Sequence, residues 1–145
     1  MGRYSAGVLT AAGSTTLPII SLYATSVSSG KIREVGLTNT TATSVALKLV
    51  RLQATGTQGA GLVEGKYDQD IATASCTAFT THTGAPVLGD DLGYRASLGA
   101  AVGAGVIWTF GDTGLRIPLG MGSGIGVIVE NGTGQACQAY LVWDE

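Results

Sequence analysis

The sequence predicts an all-β domain, an antiparallel β-sandwich or jelly-roll-like barrel with little or no helix. Three observations predict it. Apolar residues recur with a period of two, clusters of Gly and Asn interrupt those runs at short intervals, and no segment carries a convincing amphipathic-helix pattern. Alternation of this kind fits a half-buried strand, because successive side chains leave opposite faces of a pleated sheet. Gly and Asn supply the positive φ angles of tight connections, and short strands so spaced read as a sandwich or barrel.

The predicted strands cover residues 6–11, 16–24, 31–38, 44–53, 62–67, 76–81, 93–98, 104–110, 115–119, 124–130 and 137–143. The second contains Leu17-Pro18-Ile19-Ile20-Ser21-Leu22, an apolar run too short for a signal sequence or a membrane span. In 44–53, Val45, Leu47 and Leu49 share one face and Lys48 lies on the other. In 124–130, Ile125, Val127 and Val129 align, and in 137–143 Cys137, Ala139, Leu141 and Trp143 oppose Gln138 and Tyr140. Turn signals separate the strands: Ser28-Ser29-Gly30, Asn39-Thr40-Thr41, Gly56-Thr57-Gln58-Gly59, Gly89-Asp90-Asp91, Gly111-Asp112-Thr113-Gly114 and Asn131-Gly132-Thr133-Gly134. Alanines cluster between Ala96 and Ala104, but Gly99 and Gly103 inside that stretch each cost a helix about 1 kcal/mol, leaving at most a short turn at 96–102. Residues 54–91 form the least regular stretch, read as long loops with one or two short strands and as the expected seat of function.

The 145 residues are read as a single domain, 1–145, with residues 1–10 as an N-terminal arm. Charged residues make up 12%, about half of the ~25% usual in soluble domains. A net charge of −2 leaves no electrostatic footprint for nucleic acid. No apolar run reaches the ~18 residues of a membrane span, and Met1 to Thr10 lacks a signal-peptide core, so synthesis in a cytoplasm is expected. Cys76 and Cys137 are read as free, buried thiols.

His82 is the one histidine and has no Cys or His neighbour at metal spacing, so it reads as a polar loop or strand residue. Asp68 and Asp70, with Asp90 and Asp91, form the acidic cluster. An EF-hand counted from Asp68 needs Gly and Glu where Thr73 and Phe79 stand, so surface turns are the better reading. Gly120 to Gly126 resembles a phosphate-cradling loop, but it enters a period-two strand instead of a helix and lacks the Lys-Ser/Thr ending. No catalytic residue, metal ligand or cofactor is expected.

The stretch from Gly114, GLRIPLGMGSGIGVIVENGTGQACQAYLVWDE, combines a Pro-containing strand, a Gly-rich turn and two closing strands. Together with Ile32 to Leu52, it resembles the small virion structural proteins of tailed bacteriophages, above all the single-domain β proteins that decorate or cement the head. The resemblance implies a non-enzymatic protein on the capsid exterior, a homo-oligomer with a trimer favoured, and the major capsid protein as partner. A tail or baseplate β module binding host glycans is the alternative, and a secreted trimeric binding module a third. Apolar residues on faces that should be wet, Ala46, Val50, Leu52, Tyr140 and Val142, point to a second buried surface. Arg3 and Tyr4 are the candidate capsid or subunit contact. Tyr can bury a ring while offering its hydroxyl, and Arg can pair with a carboxylate.

Overall fold

Every predicted strand forms. The computed structural model describes residues 1–145, with eleven strands and no helix. They are β1 (Arg3–Leu9), β2 (Ile20–Tyr23), β3 (Lys31–Asn39), β4 (Val45–Leu52), β5 (Gly65–Lys66) and β6 (Thr77–Phe79). There follow β7 (Leu88–Leu98), β8 (Gly105–Thr109), β9 (Leu115–Arg116), β10 (Gly124–Asn131) and β11 (Cys137–Asp144).

The strands make two antiparallel sheets. Sheet A runs β5-β1-β11-β3-β8, with β9 also alongside β3; sheet B runs β6-β2-β10-β4-β7. Without the short β5, β6 and β9, each sheet keeps four strands, β1-β11-β3-β8 and β2-β10-β4-β7. The chain alternates between sheets from β1 to β4, turns from β4 to β7 within sheet B, and alternates again to β11. That order is a jelly roll, in which two Greek keys share one core. The sheets stay separate and do not close into a barrel.

The core lies between the sheets, where the period-two pattern places it. Val45, Leu47 and Leu49 of β4 and Ile125, Val127 and Val129 of β10 face Ile32, Val35, Leu37, Leu141 and Trp143 of sheet A. Cys137 and Cys76 are both buried and free, as the sequence predicts.

Several boundaries move, each for a physical reason. The arm expected at residues 1–10 is strand β1, paired from Arg3 to Leu9 with Asp144 to Gln138 of β11 and bordered by β5. Its backbone groups are satisfied by long-range pairing that its small residues did not advertise. β9 is only two residues long, and Pro118, with no N–H to offer a ladder, follows closely. β7 is longer than expected and absorbs Leu88 to Asp91 from the irregular stretch. Pairing of Leu47 with Ala96 and Val45 with Leu98 holds the alanine cluster's start in a strand, so no helical turn forms there.

Residues 53–87, between β4 and β7, wrap one side of the sandwich. β5 extends sheet A beyond β1, β6 extends sheet B beyond β2, and bridges at Thr57–Gly84 and Gly61–Phe79 hold the excursion to itself. The same excursion covers part of sheet B's outer face. Tyr23, Val50, Leu52 and Ile128 form a second buried cluster there, with Phe79 and Leu88 packed against it. The Tyr23 hydroxyl donates to the Ala54 carbonyl at 3.0 Å. Val50 and Leu52 are thus covered by the protein's own chain, which corrects the expectation that a partner must bury them.

Candidate interaction surface

The two residues singled out in the sequence lie side by side on β1 but do different things. Tyr4 points inward, 4% exposed, and its ring stacks on Trp143 at 5.8 Å between centroids. Its hydroxyl donates to the Ala72 carbonyl at 2.8 Å, tying the 53–87 excursion to sheet A. The ring that was expected to anchor on a partner is therefore used inside the molecule. Arg3 points outward. Its Nε donates to Asp144 Oδ1 at 2.7 Å and its Nη2 to Oδ2 at 3.1 Å, while Arg33 Nε donates to Oδ2 at 2.6 Å. Hydrogen bonds from Arg3, then from Arg33, hold the Asp144 carboxyl below the usual carboxylate range despite its burial. Arg3 keeps about half of its side chain exposed, at 47%.

This carboxylate clamp sits at one end of sheet A's outer face. The remainder of that face is crossed by no other segment of regular structure, and Gly7, Leu9, Gln138, Gly105, Ile107 and Thr109 on it are exposed. Its register rows run from Gly7 through Tyr140 and Gly36 to Ile107, and from Leu9 through Gln138 and Thr38 to Gly105. The Tyr140 ring lies across Gly36, where a Cβ would stand 1.9 Å from Tyr140 Cε1. Its hydroxyl donates to Glu34 Oε1 at 2.5 Å, and burial followed by that bond pushes the phenol up to about 12. Leu9 and Ile107, 56% and 61% exposed, stand toward the two margins. Part of sheet B's outer face is covered by the 53–87 excursion, whereas Leu9 and Ile107 on sheet A's outer face stay exposed, and apolar groups left exposed on a face are candidate contacts.

The edges differ as well. β7, the edge of sheet B, is guarded by charge and irregularity. Its register against β4 shifts twice, Asp91 receives Lys48 at 3.5 Å and also pairs with Arg95, and Arg95 reaches Glu130 at 2.6 Å. Charges and bulges on an edge discourage further strand pairing. β8, the edge of sheet A, reads Gly-Val-Ile-Trp-Thr and carries no charge.

The residues weighed for chemistry fall elsewhere. His82 is in a loop, as expected, but is only 1% exposed and not a surface group. Its Nε2 lies 2.9 Å from Ser21 Oγ, and its ring packs on Tyr23 at 6.0 Å. Burial holds the imidazole below its ordinary pKa. The spacing is that of a nucleophile and base, but Ser21 is fully buried and no substrate reaches it in this structure. Asp68, Asp70 and Asp90 are exposed. No group of three His, Cys, Asp or Glu side chains could hold a metal ion. Gly120 and Gly122 take positive φ in a turn that enters β10, as the sequence predicts for that run. A recess of 380 Å³ at one end of the sandwich is lined by Thr43, Ser44, Ser97, Asn131 and Thr133 together with Val45 and Ala46, polar and apolar surface in equal measure.

Sequence reasoning missed the Asp144 clamp, whose Arg3 and Arg33 lie 141 and 111 positions away in the chain. It also missed the contrast between the two sheet edges, for which charge content was the available signal. No family model, no curated protein and no solved structure matches the chain.

Proposed function

We propose that the protein is a non-catalytic structural component of a virion, fixed as a homo-oligomer on the outside of a tailed-phage capsid and bound to the major capsid protein. The observation that carries this reading is the unequal treatment of the two sheets. The chain uses its 53–87 excursion to cover part of sheet B and leaves Leu9 and Ile107 exposed on the outer face of sheet A. A protein that is 12% charged has little else with which to keep such a face in water, whereas a symmetric assembly buries it against neighbours. Jelly rolls serve in viral capsids and in lectins alike, so the fold agrees with this reading without selecting it.

The recess with Thr43, Ser44, Ser97, Asn131 and Thr133 in its lining favours a second reading, a tail or baseplate module holding a host glycan, because sugar hydroxyls pair with Ser, Thr and Asn side chains. Antibody labelling of native particles in the electron microscope separates the two. Label spread over the head supports decoration, label confined to the tail supports the second reading, and particles free of the protein refute both.

A further inference from the structure

We propose that strand β8 is a self-pairing edge, through which two copies of this chain join sheet A to sheet A across a two-fold axis at Ile107. The inference deepens the homo-oligomer in the proposed function and rests on it, and it names a pair of copies where the resemblance implies three.

The backbone geometry carries it. Asn39 N–H donates to the Ala104 carbonyl and Phe110 N–H to the Arg33 carbonyl, so the residues of β8 bonded to β3 are the even-numbered ones. In an antiparallel ladder, bonded and non-bonded pairs alternate. The N–H and C=O groups of Gly105, Ile107 and Thr109 therefore point away from β3, toward the free margin. Sheet A has no strand beyond β8, and none of these groups makes a backbone bond elsewhere. All three residues are exposed. An edge of this kind is a template for another strand unless charge, proline or a bulge guards it. β8 has none of these, in contrast to β7.

A second copy fits this edge because the strand is complementary to itself. Placed antiparallel about Ile107, the outward groups of Ile107 exchange both bonds with those of the second Ile107. Gly105 and Thr109 of each copy do the same with Thr109 and Gly105 of the other. No like charges meet. The same register sets Gly103 of one copy beside Gly111 of the other, and both glycines have open space where a Cβ would stand. The ladder therefore ends without a clash on either side. The two Ile107 side chains, each 61% exposed, come together on the outer face of the joined sheets.

The test uses the purified full chain. Sedimentation equilibrium should give a dimer, and hydrogen exchange should show the Gly105, Ile107 and Thr109 amides slowed at high concentration and fast after dilution. Ile107→Pro removes an outward donor and no bond to β3. It should halve the mass while the far-UV circular dichroism spectrum stays unchanged. If that variant unfolds, Ile107→Lys, which places a charge on the axis, should halve the mass instead. A chain that stays monomeric at all concentrations overturns the proposal. So does an oligomer whose three amides exchange as free groups and whose mass both variants leave unchanged. Labelled native particles report on the virion reading separately, so decoration by a monomer would sink the edge and spare the function.

Discussion

The Ser21–His82 pair offers the sharpest test of how this structure is held together. Ser21 stands on β2 and His82 in the excursion that covers part of sheet B; both side chains are buried, 2.9 Å apart. Ser21→Ala would take away the hydroxyl partner of His82 Nε2. An orphaned buried polar group costs about 1–3 kcal/mol, and at ~2–4 °C per kcal/mol for a chain near this size the melting temperature should fall by roughly 3–10 °C. His82→Phe alone should also destabilise, because it strands the Ser21 hydroxyl. The double variant should lie within about 1 kcal/mol of the parent, since it replaces both partners by apolar groups while a ring still packs on Tyr23. Urea unfolding of the four proteins, as a double-mutant cycle, measures this. The pH dependence follows with a definite sign. Burial lowers the folded pKa of His82, so both states hold it neutral above the unfolded value of ~6.5 and stability is full there. As pH falls below ~6.5 the unfolded chain takes up the proton first, and stability declines by at most ~1.4 kcal/mol per pH unit until the folded pKa is reached. His82→Phe should remove that slope. Melting of Ser21→Ala within 1 °C of the parent, or a double variant that loses the sum of the two singles, would refute the reasoning.

Other expectations follow from particular contacts. A Cβ at Gly134 would stand 2.1 Å from the Gly13 carbonyl oxygen, a backbone atom that cannot swing aside, so Gly134→Ala should destabilise by about 1–3 kcal/mol in urea unfolding. Asp144 has a depressed folded pKa, so its contribution is present above the unfolded value near ~3.9 and is lost as pH falls through the folded one. Asp144→Asn should lower stability at pH 7 and flatten the acid limb, as read by thermal melts from pH 2 to 7. Cys76 and Cys137 should resist a thiol reagent in the native protein and react fully in denaturant without reductant. Burial raises both thiols, Cys76 to about 12, and failure to find two thiols after unfolding would contradict the free-cysteine assignment.

The set of strands, and the inward face of most of them, could be read from the chain alone. Alternation in Val45-Leu47-Leu49, Ile125-Val127-Val129 and Cys137-Ala139-Leu141-Trp143 is a local property of a pleated backbone, so it is legible without knowing any neighbour. The alternate faces were not legible. Whether Val50 and Tyr23 need a partner depends on what folds across them, and only the tertiary path of residues 53–87 brings Ala54, Phe79 and His82 over that side of sheet B. β1 was misread for the same reason. Arg3 and Tyr4 look like a free arm until β11, from the other end of the chain, supplies the ladder that makes them a strand and Asp144 fixes the guanidinium. The bare β8 edge is likewise a consequence of strand order: the same Gly-Val-Ile-Trp-Thr between two strands would be fully paired, and its place at the end of sheet A leaves half its backbone groups open.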